Sequence, residues 1–287
     1  MTATPFLLGG DLPVNRIAFG AMRLAADGFT GPARDAETSR SVLRRAVELD
    51  IDLIDTAAFY VSDDGSLSAN GLIREALHPY PDGLVIATKV GPSRRPDGTV
   101  DLHAPASGLR AQVEQNLREL DVPRLDVVHL RVGAMRPPRG ESIGERFAAL
   151  AALREEGLIR HLALSNVDAQ HVAEARAIAP VVAVQNTYRT DGPEDAALLR
   201  MCEEAGIAFV PFFPLSGGMV DVGGEVVRRI AASRGITASQ VALAWLIACS
   251  PVTLAIPGTG SVAHLEENTA ARDVELSAAE VVEIADQ

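Results

Sequence analysis

Four residues of this 287-residue chain have side chains that could together protonate a developing alkoxide: Asp55, Tyr60, Lys89 and His129. Asp55, Lys89 and His129 each stand at or near the end of a short apolar run, and Tyr60 follows Asp55 by five positions in the segment DTAAFY. A phenol is a poor acid near neutral pH unless a neighbouring ammonium favours its ionised form, and a carboxylate beside that ammonium keeps the cation in place. An imidazole in the same pocket can donate a hydrogen bond to a substrate oxygen and orient it. The set suits proton donation to a carbonyl under reduction. It does not suit covalent catalysis, which wants a Ser or Cys beside a base. No HExxH occurs and no HxH follows a strand, so no metal site is expected.

The elements that must position these residues read clearly. Eight β-rich runs recur at residues 16–20 (RIAFG), 51–55 (IDLID), 84–88 (LVIAT), 125–130 (LDVVHL), 161–165 (HLALS), 181–185 (VVAVQ), 207–211 (IAFVP) and 253–257 (TLAIP). Most are nearly continuous apolar stretches, as strands buried on both faces should be. Helical spacing lies between them, at 37–49, 107–120, 143–156, 169–179, 195–205, 225–233 and 239–248. Strict alternation of β and α elements implies a parallel sheet with helical crossovers, and eight units without a second composition regime imply closure into a (β/α)8 TIM barrel of the α/β class. No GxGxxG follows the first run, which argues against a doubly wound open sheet. Residues 6–14 read as a hairpin turning at Gly9-Gly10, placed to plug the barrel bottom, and 276–285 as a final helix capped by Ser277. One domain over 1–287 is expected.

On the barrel reading, Asp55, Lys89, His129, Ser165, Asn166 and Gln185 meet at one rim, the C-terminal ends of the strands. Longer loops follow the third, fourth and seventh runs, at 91–105, 131–141 and 212–224, and long loops on that face tend to be functional. If His129 points into the mouth, alternation points Arg131 the same way, where it could hold an anionic or hydroxyl-rich group of the substrate. A surface ion pair at the loop base is the competing reading of Arg131. His78, His103 and His171 read as solvent-facing, and His161, at the start of its strand, as a structural residue of the opposite rim. Trp245 reads as part of a helix packed on the barrel exterior.

The formal charge is −12, with 26 basic against 38 acidic residues, so the global field opposes nucleic acid and anionic membranes, and any polyanionic ligand must be held by local donors. Cys202 and Cys249 both fall in apolar helical contexts and read as free thiols. The N-terminal segment has no basic stretch before an apolar run, and no run of about 18 apolar residues occurs, so a cytoplasmic protein is the default. A monomer or weak homo-oligomer is expected.

DTAAFY, Thr88-Lys89, His129, Ser165-Asn166, Gln185-Asn186, PFFPLSGG and IPGTGSVAHLEEN together resemble the aldo-keto reductase family, in order and over nearly the whole chain. The resemblance implies a (β/α)8 barrel that binds NADPH extended, without a Rossmann motif, and reduces a small-molecule aldehyde or ketone. It makes Asp55, Tyr60, Lys89 and His129 a catalytic tetrad. Ser165, Asn166 and Gln185 would bind the nicotinamide carboxamide, and Phe212 would stack on the ring. Leu215, Ser216 and Gly217 would lie along the pyrophosphate. Gly258, Thr259, Gly260 and Ser261 would hold the 2′-phosphate, with His264 beside them, and Glu267 and Asn268 would meet the adenine. Gly20, Ala21, Met22 and Arg23 would line the site, and the cofactor set also includes Asp55 and Ile256. The chain departs from many members at His264, where they carry Arg, and from some at Gly258, where they carry Lys. A neutral imidazole holds phosphate less firmly than a guanidinium fork, which brings NADH in as an alternative cofactor. VPFFPLSGG and NLRELDVPRLDVVHLRV are similar to bacterial members related to pyridoxal reductases, which makes pyridoxal or another compact aldehyde the substrate expectation. Two rival functions remain: a nicotinamide-binding barrel serving as a regulatory or accessory subunit with little turnover, and a phosphate-binding barrel isomerase or lyase.

Overall fold

The computed structural model describes residues 5–95, 99–133, 140–190, 195–215 and 223–286. Seven parallel strands, Phe19–Gly20, Leu53–Asp55, Val85–Val90, Leu125–Arg131, Ile159–Ser165, Ala183–Gln185 and Ala208–Phe209, are neighbours in space in the same order as in sequence. The eighth run joins the two ends of this sheet through the bridges Phe209–Thr253 and Ile17–Ala255. Ala18 N–H donates to the Ala255 carbonyl at 2.8 Å, and Gly20 N–H to the Pro257 carbonyl at 3.1 Å. Closure brings the first and eighth strands so close that a Cβ on Gly258 would lie 2.5 Å from the Gly20 carbonyl oxygen, which is why glycine stands at this seam.

Alternation along the strands sorts residues into two buried clusters. Leu53, Val85, Ala87, Val127, Ala163, Ala183 and Leu254 point inward and fill the barrel above Leu8, Leu12 and Val14. Ile54, Ile86, Val128, Leu164, Val184 and Phe209 point outward and pack under the helices. The next inward positions after the apolar layer are Asp55, Lys89, His129, Ser165 and Gln185, because side chains on one face recur every second residue. The two-strand hairpin Phe6–Leu8 and Leu12–Val14 closes the bottom, turning on Gly9 and Gly10, both at positive φ. Asp11 anchors it, accepting from Arg160 at 2.7 Å and from His161 Nε2 at 2.7 Å, so His161 is structural and far from the catalytic rim.

Helices occupy most of the expected segments, among them Ala36–Glu48, Ala106–Leu120, Gly144–Glu155, Ala238–Cys249 and Ala278–Ala285. Asp35 caps the first of these through Thr38 N–H, and Ser277 forms a capping box with Glu280 on the last. The helix expected over 169–179 is shorter, Ala169–Arg176. The helices Ala69–Leu77 and Val262–Thr269, capped by Ser68 and Ser261, were not expected, nor were the single turns Met22–Ala25 and Ala270–Asp273. Both helices are short and begin inside segments whose Gly, Ser and Asp content reads as loop. His171 is a correction. It is buried, not solvent-facing, because its backbone and ring complete the capping box with Asp168 while Nε2 meets the Glu141 carbonyl at 2.9 Å. Cys202 is buried and Cys249 half-buried; both are free thiols, and burial pushes each up to about 12. Trp245 stacks on Tyr188 and donates its indole N–H to the Val281 carbonyl at 3.0 Å. Among the described residues no single helix is long and apolar enough to cross a membrane.

Candidate active site

Register puts the polar rim together. Gly20 pairs with Asp55, Lys89 with His129, Arg131 with Ser165, and Ser165 with Gln185 across successive strands. At the centre, the Lys89 ammonium donates to Asp55 Oδ1 and, at 3.1 Å, to the Thr56 carbonyl. It lies 4.9 Å from the centre of the Tyr60 ring. Burial alone would lower the lysine's proton affinity, but the charges of and hydrogen bonds from Asp55 and Tyr60 outweigh it, and the ammonium is held above its ordinary value. Asp55 is fixed from its other side by Gln185, whose Nε2 donates to Oδ2 at 2.8 Å. A carboxylate only accepts, so this contact fixes the orientation of the Gln185 amide and leaves Oε1 facing away from Asp55. That oxygen is buried and has no hydrogen-bond partner among the described residues.

His129 is buried beneath the rim with Nδ1 at 3.3 Å from the Thr88 carbonyl and Nε2 without a partner. Burial first, and then the neighbouring Lys89 cation, push the imidazole down to about 4 against the pull of Asp55, so the ring is neutral. A carbonyl only accepts, so the single proton belongs on Nδ1 and Nε2 presents a lone pair. The sequence reading made His129 a donor to the substrate oxygen. A proton on Nδ1 toward Thr88 leaves the buried Nε2 as an acceptor, and His129 is not among the residues that line the cavity above. Beneath the tetrad, Thr88 Oγ1 and Asn70 Nδ2 both donate to Asn116 Oδ1, at 2.6 and 3.0 Å, and Thr56 Oγ1 donates to Asn70 Oδ1 at 2.8 Å. This buried network holds the two peptide units whose carbonyls receive Lys89 and His129.

Above the tetrad lies a cavity of about 980 Å³. Its lining includes Gly20, Met22, Arg23, Asp55, Tyr60, Arg131, Gln185, Phe212, Leu215, Ile256, Gly258, Thr259, Gly260, Ser261, His264, Glu267 and Asn268. Ala21 is fully buried in the core and does not line it; its backbone N–H donates to the Asp55 carbonyl at 2.8 Å. Ser165 and Asn166 are buried and are not among its lining residues; Ser165 Oγ accepts from Arg131 at 3.1 Å and Asn166 Nδ2 donates to the Val132 carbonyl. Asn166 adopts a left-handed backbone at φ 60. Ser216 and Gly217 lie outside the described residues. Arg131 does face the mouth, with its guanidinium 5.1 Å above the Phe212 ring.

Residues 16–286 match the aldo/keto reductase family. The chain belongs to that family. It is 45% identical over 280 residues to pyridoxine 4-dehydrogenase of Escherichia coli strain K12, covering 96% of each chain. It is 40% identical over 269 residues to an uncharacterized oxidoreductase of Schizosaccharomyces pombe, covering 93% of this chain and 85% of that one. Its fold is similar to that of an aldo-keto reductase from Klebsiella pneumoniae solved in complex with NADPH, with a TM-score of 0.82, 26% identity and coverage of 99% and 94%. The cavity also has lining residues that the sequence alone did not point to. Phe29, Phe59, Pro92 and Leu102 form the apolar wall around Tyr60, and Asp27 and Arg34 reach the far end of the cavity. Phe29 meets the Tyr60 ring edge-on at 6.4 Å and Phe59 does so at 5.1 Å. The adjacency of Phe59 to Tyr60 was a usable signal. The others sit on loops without periodicity and carried none.

Proposed function

We propose that this aldo/keto reductase is an NADP(H)-dependent oxidoreductase that reduces a compact aldehyde or ketone to its alcohol, with Tyr60 as proton donor and pyridoxal as the leading substrate. The observation that carries the reading is the buried Lys89 ammonium, clamped by Asp55 and set against Tyr60 directly under a large cavity. The partnerless Gln185 Oε1 and His129 Nε2 support a bound nicotinamide and substrate. A buried acceptor left unsatisfied costs about 1–3 kcal/mol, which a carboxamide N–H or a substrate hydroxyl would recover. Gln185, Ser165, Asn166 and Phe212 are the residues that would hold the nicotinamide, and 258–268 the other end of the cofactor.

NADPH, when bound, supplies the hydride that reaches the carbonyl carbon. Tyr60 passes its phenolic proton to the carbonyl oxygen as charge develops there, and Lys89 stabilises the phenolate left behind. Asp55 keeps that ammonium in register. With its proton on Nδ1, His129 would accept from the hydroxyl of the alcohol and orient it for oxidation; in reduction the carbonyl oxygen offers Nε2 no proton until Tyr60 has given one. Phe29, Phe59 and Leu102 keep water from the reacting carbon and suit a flat aromatic substrate. Arg131, desolvated at the mouth, suits a substrate with an anionic or hydroxyl group. The name of the 45% identical relative supports pyridoxal and its alcohol as the pair.

The whole chain is read as one domain, because the hairpin, barrel and last helix share the two clusters. Large exposed apolar side chains among the described residues are Leu7, Ile178 and Val282, on separate elements, which supports a monomer or weak homo-oligomer. Two unpaired thiols support a cytoplasmic location. Loss of reduced nicotinamide absorbance over a panel of aldehydes and ketones that includes pyridoxal tests the activity. Tyr60→Phe should lower kcat about 10²–10⁴-fold while NADPH still binds. Full turnover in that variant would remove Tyr60 from the role.

A further inference from the structure

The cavity has two ends of different character. The catalytic end is walled by aromatic rings around Tyr60. The other runs along 258–268, where Thr259, Gly260, Ser261 and His264 line it together with Asn268 and Glu267, whose carboxylate accepts from Thr237 Oγ1 at 2.7 Å. Thr259 Oγ1 accepts from Ser261 N–H at 3.1 Å, and Ser261 Oγ accepts from His264 N–H at 3.5 Å. Both hydroxyls are thus used as acceptors, which leaves their O–H groups as donors to a ligand. With a formal charge of −12 the protein cannot attract an anion at long range, so an anionic ligand here needs a cation at the wall itself.

Arg34 supplies it. Its Nη2 reaches the Gly260 carbonyl at 3.4 Å, across 226 positions of sequence, and a Cβ on Gly260 would lie 2.4 Å from Arg34 Cζ. The guanidinium therefore lies flat against the turn only because that residue is glycine. The backbone holds Arg34 there, since its N–H donates to the Ala25 carbonyl at 3.0 Å and the next residue, Asp35, caps helix Ala36–Glu48. Nη1 pairs with Asp27 at 2.9 Å, but that carboxylate is shared with Arg23 and its side chain is 64% exposed. An exposed pair of this kind exchanges readily for a phosphate, to which a guanidinium can offer two parallel N–H groups.

We infer that Arg34 recognises the 2′-phosphate of the cofactor and sets the preference for NADPH over NADH, in place of the arginine that position 264 lacks. The inference rests on the cavity being the nicotinamide cofactor site. A dinucleotide with its nicotinamide beside Tyr60 must run its adenosine end toward the wall where Arg34 stands.

Binding of NADPH, NADH, adenosine 2′,5′-bisphosphate and 5′-AMP to the full chain should be measured by titration calorimetry for wild type, Arg34→Ala, Arg34→Gln and Arg34→Lys. Losing the charged fork should weaken NADPH and the bisphosphate about 10–100-fold, with NADH and 5′-AMP unchanged. Arg34→Lys should fall between. Arg34→Gln keeps a donor for Gly260 and should behave like Arg34→Ala on ligands while melting like wild type. Equal loss on both members of each pair, or no loss on either, would overturn the assignment. If wild type binds neither dinucleotide, the cofactor reading of the cavity fails and this inference falls with it.

Discussion

Lys89 and Asp55 are 3% and 4% exposed, and each satisfies most of the other's charge. The ammonium reaches Asp55 Oδ1, the Thr56 carbonyl and Tyr60; the carboxylate receives Lys89 on one oxygen and Gln185 on the other. Lys89→Met keeps the volume and the stem but removes the cation. It leaves a carboxylate in the barrel with one neutral donor, and breaking a buried pair from one side costs about 3–5 kcal/mol. At about 2–4 °C per kcal/mol for a chain of this size, the melting temperature should fall by roughly 6–20 °C. Asp55→Asn with Lys89→Met removes both charges, and the Asn amide oxygen can still accept from Gln185 Nε2. The double variant should therefore regain most of the lost stability while remaining inactive, because no ammonium is left to support the Tyr60 phenolate. Urea unfolding of the four proteins at pH 7, followed by circular dichroism, completes the cycle. If Lys89→Met unfolds within about 1 kcal/mol of wild type, or the double variant is no more stable than the single, the charge argument is wrong and the tetrad is held by packing instead.

His129 gives a pH-dependent test. Its native imidazole is held down to about 4 against an ordinary 6.5, so as pH falls the unfolded chain takes up the proton first and stability declines between those values. The full effect is on the order of 3 kcal/mol, absent above pH 6.5, and His129→Asn should lose it; identical losses from pH 7 to pH 5 in both proteins would contradict the assignment. Asn116→Ala strands the buried Thr88 hydroxyl, while Asn70 Nδ2 keeps Glu119 Oε2 at 2.9 Å, and should cost about 1–3 kcal/mol, with kcat falling more than NADPH affinity; a change in affinity alone would deny the network its positioning role. Gly258→Ala drives a Cβ into the Gly20 carbonyl and should both destabilise the chain by about 1–3 kcal/mol and weaken NADPH, as thermal melts and calorimetry would report. Arg131→Ala should reduce kcat/KM for anionic carbonyls and leave neutral ones unchanged, and uniform kinetics across both classes would remove it from the substrate site.

The barrel was legible because buried parallel strands must be apolar on both faces, and runs such as LVIAT and VVAVQ have no other use in a folded chain. The polar rim was legible because Asp55, Lys89, His129, Ser165 and Gln185 all fall at or beside the C-terminal ends of those runs. The short strands were overread. Run 16–20 pairs as a ladder only at Phe19–Gly20, since Arg16 turns away to the carbonyls of Ser250 and Ile247. Helices Ala69–Leu77 and Val262–Thr269 were missed because a span of eight or nine residues holds barely two turns of periodicity, and their caps look like loop. Arg34 was invisible because its partner lies 226 residues away, and no local pattern encodes a contact made by barrel closure.

Closure also explains why a site built from scattered residues can be precise. Each strand contributes its inward side chain at one register level, and the pairings Gly20–Asp55, Lys89–His129 and Ser165–Gln185 leave no freedom to slide without turning every apolar side chain out of the core. The burial of Val85, Ala87 and Val127 beneath them fixes the register that brings Lys89 next to Asp55, and the two charges then hold the side chains together. Loops answer to no such constraint. Phe29, Leu102 and Arg34 stand on segments between elements, where a side chain can be exchanged without disturbing the strand register below. Arg34 reaches the cofactor wall from such a segment, so exchanging it should move the cofactor preference and leave the proton chemistry at Tyr60 untouched.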